Sequence, residues 1–241
     1  MRSRAGWYIG MGLFCACSDG APPSASHDAA AGRTEVSQAG DSSTRDVSKS
    51  PQRGPSSALQ LRTDEAEIRG HALPDGTREF LGIAYAARPT GALRWAPPQS
   101  PATQGPLEAT SFSARCPQAA AHGAYVPGES EDCVYLNVWA PASAERAPVM
   151  VWIHGGGNRD GTASDLGTSG ALLAARYGVI VVSLNYRLGV LGFFAHPELI
   201  AEGAQSGNQG LWDQQLALRW VQRNIAALGG DVARVTIFGE S

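Results

Sequence analysis

The spacing of apolar residues divides the chain into two kinds of strand. Continuous apolar runs at Val149–Ile153, Val179–Leu184 and Val235–Phe238 are typical of parallel strands that are buried on both faces. Shorter and more polar β-rich stretches come earlier and predict an antiparallel start to the sheet. These stretches are Leu59–Arg62, Glu67–Gly70, Glu79–Ala84 and Cys133–Trp139.

Segments with helical spacing separate the later strands. Gly170–Tyr177 is rich in Ala and Leu and is followed by Gly178, which is a suitable C-cap. Asn208 can cap a longer helix that ends before Gly229. The apolar residues near helical spacing in that helix are Leu211, Leu218, Val221, Ile225 and Leu228. Strands alternating with helices predict an α/β sheet.

The first 58 residues have a different composition from the remainder of the chain. Residues 1–17 resemble an export signal, because Arg2 and Arg4 precede a short apolar run and a small-residue stretch. Cys17 is a candidate for lipidation, which would attach the protein to a membrane. Residues 18–58 are rich in Ser, Ala, Gly and Pro and predict a disordered linker. We therefore expect an exported protein whose folded domain covers residues 59–241.

Composition narrows the possible partners. The 241 residues are 43% hydrophobic and 17% charged, which suits a globular domain. A formal net charge of −3 argues against nucleic acid as the main partner. His71, His122 and His196 show no metal-ligand spacing, and we expect neither a metal site nor a cofactor.

The last apolar run leads into Gly239-Glu240-Ser241, the first three residues of a G-x-S-x-G nucleophile elbow. Such an elbow raises a serine hydroxyl above the sheet at a sharp turn. Gly and Ser are common in ordinary turns, so the triplet alone is weak evidence. Its context makes Ser241 the candidate nucleophile.

That context is a glycine run after an earlier strand. His154-Gly155-Gly156-Gly157 matches the H-G-G-G motif of lipases and esterases, whose backbone N–H groups bind the oxyanion of acyl transfer. A flexible loop and a phosphate-binding loop are the alternatives. The sequence continues Asn158-Arg159-Asp160-Gly161, without the Gly-Lys-Ser/Thr of a phosphate loop. Gly156 and Gly157 are thus the candidate oxyanion donors, with Gly155 supporting the loop.

Together with further landmarks, these motifs resemble the N-terminal part of a type-B carboxylesterase. That family includes carboxylesterases, cholinesterases and non-catalytic adhesion proteins. The further landmarks are Phe80–Ala86, Leu93–Gln99, Glu131–Pro141, Asn185–Gly189 and Gly207–Gln215, with Ala84 and Val134 departing from the usual Pro and Leu. The resemblance covers nearly everything from Leu59 onward.

The resemblance implies an α/β-hydrolase fold and a serine hydrolase of small carboxylic esters that acts through an acyl-enzyme. Members of the family are much longer, so it also implies that the C-terminal half of the domain is missing here. The general base and the acid of the triad would come from that half. Asn158 departs from the aromatic residue that usually follows H-G-G-G.

Cys116 and Cys133 form an even pair in a predicted exported chain, which favours a disulfide over two buried thiols. In the resembling family, a Cys that matches Cys133 closes such a loop. Pro117–Asp132 contains no Trp. Cholinesterases hold a quaternary ammonium on a Trp from the corresponding loop. A neutral ester is therefore expected rather than a choline ester.

Three conspicuous residues have structural interpretations. We expect His154 to anchor its loop, Glu240 to influence the electrostatics beside the nucleophile, and Asp213 to be a hydrogen-bond partner in a helix. Two readings other than an enzyme stay open: a non-catalytic binding relative of the family, and an inactive truncated gene product. The nucleotide sequence just downstream distinguishes the truncated product from an enzyme.

Overall fold

A computed structural model describes residues 59–102, 105–118, 128–164, 166–201 and 207–241. The predicted signal (1–17, with Cys17), the predicted linker (18–58) and residues 119–127 of the Cys116–Cys133 loop lie outside the described residues.

The first part of the sheet is largely antiparallel. Its strands are β1 (Leu59–Arg62), β2 (Glu67–Ala72), β3 (Arg78–Ala84), β4 (Leu107–Glu108) and β5 (Tyr135–Ala140). Consecutive strands β1, β2 and β3 pair antiparallel, and β3 continues antiparallel to β5. The short β4 lies parallel to β2. The predicted antiparallel start is confirmed.

Parallel pairing begins with the three later strands, which are β6 (Ala147–Ile153), β7 (Ile180–Leu184) and β8 (Gly230–Gly239). The order across the sheet is β1-β2-β3-β5-β7-β6-β8. Strand β7 is antiparallel to β5 and parallel to β6, and β8 is parallel to β6 on the other side. This mixed sheet with flanking helices confirms the predicted α/β class.

The described residues of the second half form four α-helices between the strands: α1 (Ala171–Tyr177), α2 (Gly189–Phe193), α3 (Pro197–Ala201) and α4 (Gln209–Asn224). Helix α1 ends at Gly178 with a φ of +66°, as predicted for a glycine C-cap. A 3₁₀ turn, Ile225–Leu228, extends α4. The prediction for Asn208 was wrong in one respect: it precedes α4, but with a ψ of 22° its side chain makes no capping hydrogen bond.

One hydrophobic core joins the sheet to α4. Leu216, Ala217, Trp220 and Val221 from α4 pack in the same cluster as the inner residues of β5, β6 and β7. These positions are spaced by one, three and four residues, so they share one face of the helix. Leu211, at the start of α4, lies outside that face and is 43% exposed.

A buried ion pair fixes the segment after β7 to α4. The Arg187 guanidinium binds both carboxylate oxygens of Asp213, at 2.8 and 2.7 Å, and both side chains are almost fully buried. Arg187 also donates to the carbonyls of Arg94 and Ala96, which ties the early loop to the same point. Asp213 is therefore the structural partner that the sequence predicted.

The apolar run Val235–Phe238 lies in β8, whose burial differs from that of the other two apolar runs. Strand β8 runs parallel to β6 as expected, but Ile237 is 54% exposed and the strand is buried only at Gly230 and Asp231. Within the described part of the chain, β8 is the last strand of the order and pairs with β6 alone. No helix in that part is long and apolar enough to span a membrane.

Candidate active site at the carboxyl edge of the sheet

The two motifs singled out in the sequence meet at the ends of neighbouring strands. Ile153, the last residue of β6, is in register with Gly239, the last residue of β8. Because the two strands are parallel, the loops that follow them begin side by side at the carboxyl edge of the sheet, where open α/β sheets bind ligands. A Cβ atom at position 239 would lie 2.5 Å from the Ile153 carbonyl oxygen, so only glycine fits there.

Ser241 has an unusual backbone conformation. Its φ is +55°, in the left-handed region that residues with a side chain rarely adopt. Strained residues of this kind cluster at active sites. The side chain is exposed, and its hydroxyl has no hydrogen-bond partner in the described part of the chain.

The glycine run forms a tight turn that leaves two amides unused. Gly156, Gly157 and Asn158 all have positive φ, at +103°, +56° and +61°. The N–H groups of Arg159 and Asp160 donate to the Gly156 carbonyl at 3.0 and 3.2 Å and close the turn. Neither the Gly156 nor the Gly157 N–H donates to any described residue. Two adjacent free amides are what an oxyanion needs.

The start of this loop is held from below by Tyr186. Its hydroxyl donates to the His154 carbonyl at 2.9 Å, and its ring stacks on the His154 imidazole with 4.4 Å between centroids. Burial, with a smaller contribution from the Asp160 carboxylate, raises the pKa of Tyr186 and keeps the hydroxyl protonated as a donor. His154 Nδ1 lies 2.9 Å from the Gly155 carbonyl. His154 is thus a loop anchor, as expected.

The residue that follows β8 is in direct contact with the glycine loop. A side chain at position 155 would collide with the Glu240 carbonyl oxygen and lie 2.9 Å from the Glu240 carboxylate. Gly155 therefore allows the residue before Ser241 to approach the loop.

A cavity of about 340 Å³ opens beside the loop. Its lining is largely apolar, from Leu188, Val190 and Leu191, with Gln118 and Arg159 at the polar side. The N–H of Gly189 donates to the Asn158 carbonyl at 2.8 Å and ties this wall to the turn. The cavity offers room for an organic group beside Arg159, which follows the glycine turn.

The structure contains a disulfide between Cys116 and Cys133, with 4.9 Å between the Cα atoms, in agreement with the prediction. Both cysteines are buried. The groups of His, Cys, Asp and Glu in the described ranges include none arranged to hold a metal ion.

Sequence reasoning missed the side chains that hold the far end of the loop. Asn185 Oδ1 accepts from the Ala163 N–H at 2.7 Å, and its amide donates to Ser164 Oγ and to the Ala114 carbonyl. The Gln118 amide also contacts the loop, because it accepts from the Gly161 N–H and donates to the Gly161 carbonyl. Asn185 lies in a landmark of the resembling family, which was a signal for importance but not for this contact. The position of Gln118, two residues after Cys116, gave no comparable signal.

The chain is similar in sequence to known esterases. A family model described as the carboxylesterase family matches residues 57–241. The fumonisin B1 esterase of Sphingopyxis macrogoltabida is 46% identical over 169 residues, which are 67% of this chain and 31% of the relative. The para-nitrobenzyl esterase of Bacillus subtilis is 43% identical over 187 residues, or 75% of this chain and 38% of the relative.

Solved structures agree with the sequence relatives. A para-nitrobenzyl esterase structure superposes with a TM-score of 0.70 at 42% identity, over 76% of this chain and 38% of that one. The chain thus spans between 31% and 38% of the length of the relatives described here.

Proposed function

Since the chain belongs to the carboxylesterase family, we propose that it supplies the nucleophile and the oxyanion-binding loop of a serine esterase. One observation carries the proposal. The carboxyl ends of β6 and β8 lie side by side, so Ser241 in its left-handed conformation is next to the loop that holds the free amides of Gly156 and Gly157.

In the proposed reaction, Ser241 Oγ attacks the carbonyl carbon of an ester while a general base takes the hydroxyl proton. The oxyanion that forms accepts hydrogen bonds from the Gly156 and Gly157 N–H groups, and from the N–H of the residue after the nucleophile. The alcohol leaves with the proton held by the base, and an acyl-enzyme remains. Water then attacks the acyl-enzyme, releases the carboxylic acid and restores the serine.

The base and its carboxylate partner are proposed to come from a region equivalent to the unmatched part of the relatives. No described histidine is hydrogen-bonded to Ser241, and His154 is committed to Tyr186 and the Gly155 carbonyl. We therefore expect the 241-residue polypeptide made alone to show no esterase activity above its Ser241→Ala variant. Serine-dependent turnover by that polypeptide would contradict this expectation and make His154 the first residue to mutate.

An extended protein tests the proposal directly. In it, the chain continues past Ser241 with the part of the Bacillus subtilis para-nitrobenzyl esterase that follows the matched region. We expect turnover of 4-nitrophenyl butyrate, and a loss of at least about 10⁴-fold in kcat for Ser241→Ala. Ser111→Ala, at an exposed serine of another loop, is the matched control. Equal activity of Ser241→Ala and Ser111→Ala would refute the role of Ser241, and so favour a binding relative.

The proposed substrate is a neutral ester. The loop from Pro117 to Asp132 has no Trp to hold a quaternary ammonium, and the cavity beside the glycine turn has a largely apolar lining. The extended protein should therefore hydrolyse butyrate esters of neutral alcohols faster than butyrylthiocholine. A preference for butyrylthiocholine would contradict this substrate class.

The proposal extends to location. The protein is exported, with processing near Cys17 and lipidation of that cysteine as the route to membrane attachment; the basic start, apolar run and small-residue stretch support this. Intact mass of the protein recovered from its native host should show a chain starting near Cys17. A chain that begins at Met1 in the cytoplasm would contradict it.

A further inference from the structure

The side chain of Gln118 forms hydrogen bonds with both the N–H and the carbonyl of Gly161 in the glycine loop. Gln118 Nε2 donates to the Gly161 carbonyl at 2.9 Å, and the Gly161 N–H donates to Gln118 Oε1 at 3.0 Å. The same Nε2 also donates to the Cys116 carbonyl at 3.0 Å. A primary amide has both a donor and an acceptor, which this paired geometry requires.

Gly161 is where the loop closes on its own beginning. A Cβ atom at Gly161 would lie 2.5 Å from the Gly155 carbonyl oxygen and would collide with the His154 ring. A Cβ atom at Gly156 would likewise collide with the Asp160 carbonyl oxygen. Because the end of the loop packs directly on its start, fixing Gly161 also fixes the segment that carries the Gly156 and Gly157 amides.

Gln118 is itself attached to a rigid part of the fold. It follows Cys116 by two residues, and Cys116 is linked to Cys133, which is fully buried just before β5. Strand β5 lies inside the sheet between β3 and β7. A continuous path of short contacts therefore runs from the sheet through the disulfide and Gln118 to the glycine loop.

We propose that Gln118 is a positioning residue that transmits the constraint of the Cys116–Cys133 disulfide to the oxyanion amides. This inference rests on the proposed esterase function for its catalytic consequence. It makes the disulfide a contributor to the rate of acyl transfer as well as to stability. Small displacements of preorganised donors are costly, since about 1 Å of misplacement can reduce a rate by about 10²-fold.

Hydrogen exchange tests the physical coupling without any need for activity. In the 241-residue chain, Gln118→Leu and reduction of the disulfide should each speed amide exchange in residues 154–161, and reduction of the Gln118→Leu variant should add nothing further. Gln209→Leu is the matched control, because Gln209 is a buried glutamine that bonds Gly207 and the Trp95 carbonyl instead. Unchanged exchange in residues 154–161, or additive effects, would overturn the coupling.

Kinetics of the extended protein test the catalytic consequence. Gln118→Leu should lower kcat on 4-nitrophenyl butyrate by about tenfold to a hundredfold and leave KM within about threefold, since the amides bind charge that develops in the transition state. Gln118→Glu keeps the acceptor for the Gly161 N–H but directs a carboxylate oxygen at the Gly161 and Cys116 carbonyl oxygens, so it should not restore kcat.

The Gln209→Leu control distinguishes a positioning effect of Gln118 from a general loss of stability. Gln209→Leu should lower Tm but hold kcat near the unmodified value, whereas equal losses of kcat in the two leucine variants would overturn a positioning role. If the extended protein lacked Ser241-dependent turnover, the proposed function would fail, and the exchange experiment would still decide the coupling.

Discussion

Strands β7 and β8 flank β6 on opposite sides and differ sharply in burial. Val151 of β6 is in register with Val182 of β7 and with Ile237 of β8. Val182 is fully buried, whereas Ile237 is 54% exposed. Both runs are apolar and both are parallel to β6, so the difference comes from their surroundings. Strand β7 has β5 on its far side, but no described strand covers the far side of β8.

The comparison shows what an apolar parallel strand needs. Purely parallel pairing occurs almost only where both faces are covered, and an exposed flat edge invites pairing with another chain. The apolar sequence of β8 thus suits a strand that is covered on both faces. This fits the proposal that the site is completed by a region equivalent to the remainder of the relatives.

Removing an ion pair near each of the two strands should give the largest difference in the free energy of unfolding. Arg187→Met leaves the buried Asp213 carboxylate unpaired and should lower the free energy of unfolding by about 3–5 kcal/mol. Arg146→Met removes a pair with Asp231 at the start of β8, where the Arg146 side chain is 81% exposed, and should cost less than about 1 kcal/mol. Urea unfolding of the 241-residue chain measures both. Similar losses would show that the two sides of the sheet are equally well packed.

Truncating Val182 and Ile237, the two register partners of Val151, should give a smaller difference in the free energy of unfolding. Val182→Ala removes buried methyl groups and should cost about 2 kcal/mol in the 241-residue chain. Ile237→Ala should stay within about 0.5 kcal/mol there, because much of the side chain already contacts solvent.

The extended protein sharpens this test. If β8 gains cover in it, Ile237→Ala should become about as costly as a buried substitution, at about 2 kcal/mol or more. An Ile237→Ala variant that remained neutral in the extended protein would contradict our account of β8.

The sequence predicted the helices and strands more reliably than it predicted which of their side chains are buried. The apolar run at Val179–Leu184 and the glycine after Tyr177 identified β7 and the end of α1, because period and capping are local properties. The exposure of Ile237 depends on which elements pack over β8, and no local pattern contains that information. The short helices α2 and α3 also carried too few residues to show a period.

The same distinction holds for the site. Ser241 and Gly155–Gly157 were recognisable because each motif is contiguous. The Gln118 contact joins residues 43 positions apart and depends on a side-chain amide that also occurs throughout protein surfaces. Tyr186 was visible only as part of a landmark, and its support of the His154 carbonyl emerged from the packing.

Alkaline pH should weaken the packing around β5 through the titration of Tyr135. Burial, with a hydrogen bond to Asp132, raises the pKa of Tyr135 at the start of β5 to about 12. The contribution of Tyr135 to stability is therefore complete below the unfolded pKa of about 10 and is lost as pH rises from there toward 12. The unfolding midpoint should fall over this range, and less so in Tyr135→Phe. An identical pH dependence of the two proteins would contradict the assignment.

Covalent labelling tests the central claim most directly, namely that the ends of β6 and β8 assemble a nucleophile and its oxyanion site. The extended protein is treated with diethyl 4-nitrophenyl phosphate, digested, and mapped by mass spectrometry. We expect one diethylphosphoryl group, on Ser241, and none in Ser241→Ala. A label on a different residue, or turnover that persists in Ser241→Ala, would contradict the account.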